Sequence, residues 1–306
     1  MEKNFLFAAN DGYAKFVGVT IKSILNTNPI GGGKCVFHIL TDGISRSNQE
    51  WLNRICTGYN AEVKVYIVDE DNDLKSLESY RGNRYTWYRI LFCKYLDLEE
   101  IKENGNGVLL YLDVDILVDG CLDDLFRMDM KGKSIAACPD TACNPTRYEK
   151  WNVKNYIGAG VILFNVDYWQ EHHLPEKCIE WGCHELNDED NDMPDQDTIN
   201  VICNDTKMLL PVKYNFLIWF QKHYGDLFNK YNPGFEKSVS EALQHPVIIH
   251  YATANPWHHF ASDILHGKTW KWVMLWYKTA LSIDFYHFVR YVVPAFRNSI
   301  VNMINR

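Results

Sequence analysis

The chain has 306 residues, 47% of them hydrophobic and 23% charged, and a formal net charge of −8. That length allows one large domain or two small ones, and the composition excludes disorder, a collagen-like repeat and a disulfide-stapled mini-protein. The acidic balance argues against a chain-wide nucleic-acid binder, because phosphate binding needs a net basic surface.

Met1-Glu2-Lys3-Asn4 carries no basic region leading into a long apolar run, which argues against a signal peptide. No stretch of about 18 uncharged apolar residues is present to span a membrane. The nine cysteines include no C-x-x-C pair, so a structural zinc site has no support and free thiols in a reducing cytoplasm are expected.

Phe5-Leu6-Phe7-Ala8-Ala9 is a short apolar run closed by Asn10-Asp11-Gly12, a buried strand running into a turn. Phe16, Val17, Thr20, Ile21 and Ile24 then recur at helical spacing over 13–25, before Pro29 and the glycines at 31–33. A second strand is expected over 36–40, a helix from Ser45-Arg46 to about Cys56, and a third strand over 63–68. Strand and helix in alternation predict an α/β protein with a parallel sheet. Ligands of such sheets bind beyond the carboxyl ends of the strands, which places Asn10, Asp11 and Tyr13 at the expected crevice. The spacing over 87–98 predicts one further helix, and 108–112 a central strand. Apolar runs at 134–138, 160–165 and 247–251 read as later strands, and the acidic run 187–192 as a solvated loop before Asp195-Gln196-Asp197 and a helix.

The strongest chemical signal is Tyr111-Leu112-Asp113-Val114-Asp115. Two residues apart on an extended chain, both carboxylates leave the same face and repel unless a cation lies between them. Hard oxygen ligands suit Mg²⁺ or Mn²⁺. An acidic turn after a strand would leave the same five residues. A rival enzyme reading also fits locally: Asp-nucleophile phosphohydrolases of the haloacid-dehalogenase type carry Asp-x-Asp after an apolar strand. That motif usually opens its family's chains, whereas here it lies in mid-chain. The later acidic signature is also incomplete, with Lys230 following Tyr224-Gly225-Asp226. His250, at the end of a strand, could add an imidazole to the aspartate pair, a donor set favouring Mn²⁺ over Mg²⁺.

Five segments taken in order, Phe7-Ala8-Ala9-Asn10-Asp11-Gly12-Tyr13, Leu110 through Asp115, Gly158-Ala159-Gly160 through Asn165, Asp195-Gln196-Asp197, and His250-Tyr251 through Pro256-Trp257-His258, resemble the family 8 glycosyltransferases. The resemblance spans roughly residues 4 to 260. It implies a GT-A fold, a single Rossmann-like nucleotide-sugar-binding domain, and transfer from a UDP-sugar with Mn²⁺ and retention of anomeric configuration to a glycan or lipid-linked acceptor. By position it implies Asp113, Asp115 and His250 as metal ligands, with Val114 between them at the donor. Ala8, Ala9, Asn10 and Tyr13 match the uridine segment, Arg89 an arginine near the donor, and Asp195 and Gln196 residues beside the transferred sugar. Gln196 is a weak nucleophile, which favours a same-face reaction through an oxocarbenium-like state over a covalent intermediate. Gly158 stands where the family often has Asn, and Asn255 where a phosphate-binding lysine is usual, departures that leave a non-catalytic nucleotide-sugar-binding protein as a third reading beside the glycosyltransferase and the phosphohydrolase.

The division expected is a catalytic domain over 1–265 and a C-terminal helical extension over 266–306. From Lys268 onward six basic residues face one acid, a net +5, which leaves −13 on the rest of the chain. Trp270, Trp272, Trp276, Tyr277, Phe285, Tyr286, Phe288 and Tyr291 crowd the same stretch. Basic and aromatic residues on helices suit a membrane surface, so peripheral association with the inner face of the membrane is one expectation. A helical pair packed onto the domain is the other.

Overall fold

The computed structural model describes residues 1–28, 31–69, 74–75, 77, 84–140, 145–186, 193–218, 226–252, 255–257, 270–286, 288–289 and 297. The acidic run 187–192 and Tyr224, Gly225, Thr253, His258, Lys268, Arg290, Tyr291 and Arg306 lie outside them.

Ten strands are described, in two sheets. They are β1 (Lys3–Ala8), β2 (Cys35–Thr41), β3 (Ala61–Ile67), β4 (Val108–Leu112), β5 (Ile116–Val118), β6 (Ile135–Pro139), β7 (Ile157–Asn165), β8 (Lys207–Leu209), β9 (Phe216–Leu217) and β10 (Ile248–His250). The large sheet has the order β3-β2-β1-β4-β7-β6-β8, and the small one β5-β10-β9. β3, β2, β1 and β4 are mutually parallel, as their alternation with helices predicts. β7, however, runs antiparallel to both β4 and β6, so the large sheet is mixed.

Every residue of β1, β2 and β4 is buried, because helices cover both faces of the sheet. β3, at the edge, alternates Glu62 and Lys64 with Val63 and Val65 and stays half-buried. Its charges are paired outward, Lys64 Nζ with Glu100 at 2.6 Å and Lys34 Nζ with Glu62 at 2.8 Å, which blunts the edge. The helix Ala14–Thr27 lies over one face with Val17, Ile21 and Ile24 in the core, and Ser45 caps the helix Arg46–Cys56 by accepting from Asn48 N.

The single helix expected over 87–98 is broken. Short turns at Tyr85–Tyr88 and Phe92–Tyr95 precede a helix at Leu98–Gly105, which starts where the Asp97 carboxylate accepts from Glu100 N. Trp87, Tyr88, Ile90, Leu91 and Phe92 are all buried, so burial on every side, not one apolar stripe, fixes this segment. The three-residue β5 and the helices Val166–Glu171 and Leu174–Glu185 carry no strong periodic signal and are not expected from the sequence.

The C-terminal helix Trp270–Ile283 packs on the domain. Trp272, Val273, Trp276, Tyr277 and Ala280 share a core with Phe16, Val19, Phe216, Tyr251 and Trp257. Tyr251 Oη donates to Trp272 O and Tyr277 Oη to Pro256 O, each at 2.7 Å. Much of the aromatic crowding in the tail is therefore core. The outward stripe is Trp270, Met274 and Leu281, with Lys271 and Lys278 beside it, and Phe285 continues it beyond the helix. No described helix is long and apolar enough to cross a membrane.

Candidate active site

The site forms where the chain passes from one sheet to the other. β4 ends at Leu112, and β5 starts at Ile116 in the small sheet, paired antiparallel with β10 so that Ile116 lies opposite His250. Asp113, Val114 and Asp115 make the corner. They form a turn and not the extended strand end expected. The two carboxylates converge because the corner is pinned on both sides: Asp113 N donates to Gly160 O at 2.9 Å, and Tyr251 N donates to Asp115 O at 3.0 Å. Val114 is partly buried and packs on the core.

His250 faces both aspartates. Its Nε2 lies 3.2 Å from Asp115 Oδ1 and 3.8 Å from Asp113 Oδ2. One ligand atom from each of the three residues lies within 4.8 Å of the other two. The other ring nitrogen, Nδ1, is 2.9 Å from Asn215 Oδ1, buried just before β9. That contact holds a proton on Nδ1 and turns Nε2 toward the carboxylates, the orientation a ligating histidine needs once Nε2 gives up its own proton. Burial pulls the imidazole pKa down, but Asp115 and Asp113 outweigh it and the net direction is upward. Gly160 completes the wall, since a Cβ there would lie 2.3 Å from His250 Cε1 and 2.9 Å from Asp113 Oδ2. On the ligand role expected for His250, Asn215→Leu should leave the fold intact and weaken Mn²⁺ binding by about 10–100-fold, the usual loss when a ligand's orienting partner is removed, as read by calorimetric titration.

Arg89 sits behind the cluster, 4% exposed. Its guanidinium lies over the Tyr111 ring at 4.4 Å and reaches Asp113 Oδ1 and Asp195 Oδ2, each at 3.3 Å. Tyr111 Oη donates to the same Asp113 Oδ1 at 2.6 Å. One oxygen of Asp113 is thus held from behind while Oδ2 faces His250. Burial pushes the Asp195 carboxyl above its ordinary value, although Arg89 pulls it back. Ala159 joins this group to Gln196. Its carbonyl accepts from Arg89 Nη1, and its N–H donates to Gln196 Oε1 at 2.8 Å. Asp195 and Gln196 come from the first turn of the helix Pro194–Ile202.

Ala8 closes β1, and Ala9 N continues the ladder to Leu40 O. Asn10 Oδ1 accepts from Tyr13 N at 3.1 Å, and the Tyr13 ring is 43% exposed, edge-on to Phe16. Asp11 fastens the loop, its Oδ1 accepting from Ser45 N and Asn48 Nδ2, each at 2.7 Å. The hydrogen bond from the Ser45 backbone holds that carboxyl below its usual value. Asn255 is half-buried, and its Oδ1 is buried with no hydrogen-bond partner among the described residues. Sequence reasoning missed Asn215 and Gly160. The only signal for Gly160 was its place in Gly158-Ala159-Gly160, and Asn215 gave none.

A mixed seven-stranded sheet and a second, three-stranded sheet joined to it through the Asp113–Asp115 corner make up the architecture of the GT-A fold. The family model described as Glycosyl transferase family 8 matches residues 4–261, and the chain belongs to that family. It is 27% identical over 267 residues to the lipopolysaccharide 1,2-glucosyltransferase of Escherichia coli, covering 85% of this chain and 74% of that protein. It is 26% identical over 275 residues to the lipopolysaccharide 1,3-galactosyltransferase of Salmonella typhimurium, covering 84% and 71%. Among solved structures, the galactosyltransferase LgtC in complex with donor and acceptor sugar analogs superposes with a TM-score of 0.72 at 22% identity, covering 92% of this chain and 96% of that one. The protein is a glycosyltransferase, and the phosphohydrolase reading of the aspartate pair is set aside.

Proposed function

We propose that this enzyme moves a hexose from a UDP-sugar to a glycan or lipid-linked acceptor, using Mn²⁺ held by Asp113, Asp115 and His250, with retention at the anomeric carbon. The observation that carries the reading is the convergence of two carboxylates and one oriented imidazole at the strand ends. Two oxygen ligands and a nitrogen suit Mn²⁺ better than Mg²⁺, and Gly160 leaves their meeting point clear of a side chain. Bound there, the cation would offset the charge building on the UDP leaving group.

The remaining roles belong to the chain's own groups. The exposed Tyr13 ring offers a stacking face for uracil, with Ala8 at the end of β1 and Ala9 and Asn10 in the loop that leads to it. Arg89 anchors Asp113 and Asp195 in register and brings a buried positive charge toward the donor. Gln196 faces the transferred sugar, with Asp195 beside it. In this reading 1–265 is the catalytic unit and 266–306 its extension. A thermal-shift panel of nucleotide sugars with and without Mn²⁺ tests the donor class, because a ligand binding only the folded state raises its melting temperature. A UDP-sugar should stabilise the protein only with Mn²⁺; equal stabilisation without metal would sink the metal reading. NMR of freshly formed product tests retention, and an inverted linkage would refute it.

The outward stripe of the C-terminal helix supports a membrane-surface site for this extension. Vesicles rich in anionic phospholipid should sediment the full chain at low salt and release it at high salt, each basic residue contributing about 1 kcal/mol at most. Replacing Leu281 and Phe285 together by Asp should abolish sedimentation. If wild type ignores the vesicles, the stripe serves another purpose.

A further inference from the structure

Gln196 is an amide, and only one end of an amide can share electron density with an electron-poor carbon. Its polarity therefore matters to any role at the anomeric centre. In this structure Gln196 Oε1 accepts from Ala159 N at 2.8 Å, while Nε2 points to Tyr156 Oη at 3.4 Å and Met193 Sδ at 3.3 Å. A flip of the amide would place its NH₂ against the Ala159 N–H, two donors face to face.

The Tyr156 end, though longer, adds a second constraint in the same direction. Tyr156, fully buried just before β7, donates its phenolic hydrogen to Asp197 Oδ1, and Arg147 Nη1 donates to Asp197 Oδ2. With that hydrogen committed, Tyr156 can only accept from Gln196. Burial, with Asp197 adjacent, drives the Tyr156 phenol well above its ordinary pKa, so the hydrogen stays in place. Burial raises the Asp197 carboxyl too, while the Tyr156 hydrogen bond and Arg147 pull it down. Asn200 stitches the two elements together. Its Oδ1 accepts from Ile157 N, and its Nδ2 donates to Ile157 O, both at 2.8 Å, and to Gln196 O at 3.0 Å.

We propose that Tyr156, with its hydrogen held by the Arg147–Asp197 pair, is a positioning residue that locks the polarity of the Gln196 amide for sugar transfer. The chain of donors runs one way, from Gln196 to Tyr156 to Asp197, with Arg147 closing it from the other side. Tyr156 does not touch the donor in this scheme. It acts through Gln196, so the inference rests on the reading of Gln196 given above.

The test is a double-mutant cycle in the full chain, with Tyr156→Phe, Gln196→Ala and the pair, using transfer from a UDP-sugar with Mn²⁺. Tyr156→Phe should lower kcat about tenfold, the value of one hydrogen bond felt in the transition state, with the donor KM and the Mn²⁺-dependent UDP affinity unchanged. Added to Gln196→Ala, it should lower kcat no further. A Tyr156→Phe effect that persists undiminished in the Gln196→Ala background, or one that appears in KM alone, would overturn the inference. If Gln196→Ala itself leaves kcat unchanged, the role of Gln196 fails first, and the lock with it. Should Tyr156→Phe melt early, Asp197→Asn replaces it: its amide can donate to Tyr156, free the phenolic hydrogen and favour the flipped Gln196. It should then also lower kcat without moving KM, and unchanged kcat in a folded Asp197→Asn protein would count against the lock.

Discussion

Asp113→Asn and Asp115→Asn should each cut Mn²⁺-dependent UDP binding by about 100-fold or more while the protein stays folded, since each removes an anionic oxygen from a hard-ion site and keeps the shape. The two variants differ in what else they disturb. Asp115 meets only His250 with its side chain among the contacts described, so its variant should melt close to wild type. Asp113 also receives Tyr111 Oη and Arg89 Nη2. Removing its charge leaves the buried Arg89 with Asp195 as its remaining carboxylate, and partial loss of a buried pair is destabilising, by less than the 3–5 kcal/mol of a full break. Calorimetric titration of UDP with and without Mn²⁺, beside thermal melts of both variants, separates the effects. Unchanged Mn²⁺ dependence in both would remove the metal assignment.

The parts of this architecture legible in the sequence are those with a local cause. β1, β2 and β4 are short unbroken apolar runs bounded by turn residues, and the Asp-x-Asp follows the last of them. His250 was legible because it ends such a run. What escaped depends on pairing over long sequence distance. β5 is three residues long and becomes a strand only because β10 arrives beside it from far along the chain. Asn215 precedes a two-residue strand and acquires its role by facing His250. The 87–98 segment misled because residues 87–92 are buried one after another, a condition that mimics a helical face without requiring one continuous helix. The antiparallel course of β7 follows from the partners on each side, which its own residues do not encode.

Gly160→Ala should abolish Mn²⁺-dependent UDP binding, whereas Gly158→Ala, two residues away on the same face of β7, should be tolerated. Side chains alternate along a strand, so both substitutions project toward the same wall of the site. At Gly158 the nearest atom to an added Cβ is Asn215 Nδ2 at 3.4 Å, ordinary contact. At Gly160 the Cβ would meet His250 Cε1 at 2.3 Å and Nδ1 at 2.9 Å. The backbone cannot withdraw, because Val161 pairs with Leu112 and the Gly160 carbonyl holds Asp113 N. The imidazole must therefore swing away from Asn215, or the corner at Asp113 must open, and either outcome scatters the three proposed metal ligands. Overpacking of this kind costs about 1–3 kcal/mol, so the protein should fold with a lowered melting temperature. Circular dichroism melts and UDP titration with Mn²⁺ on the two alanine variants decide the matter. Equal, near-wild-type affinity in both would mean that His250 is not held against Gly160 when nucleotide binds.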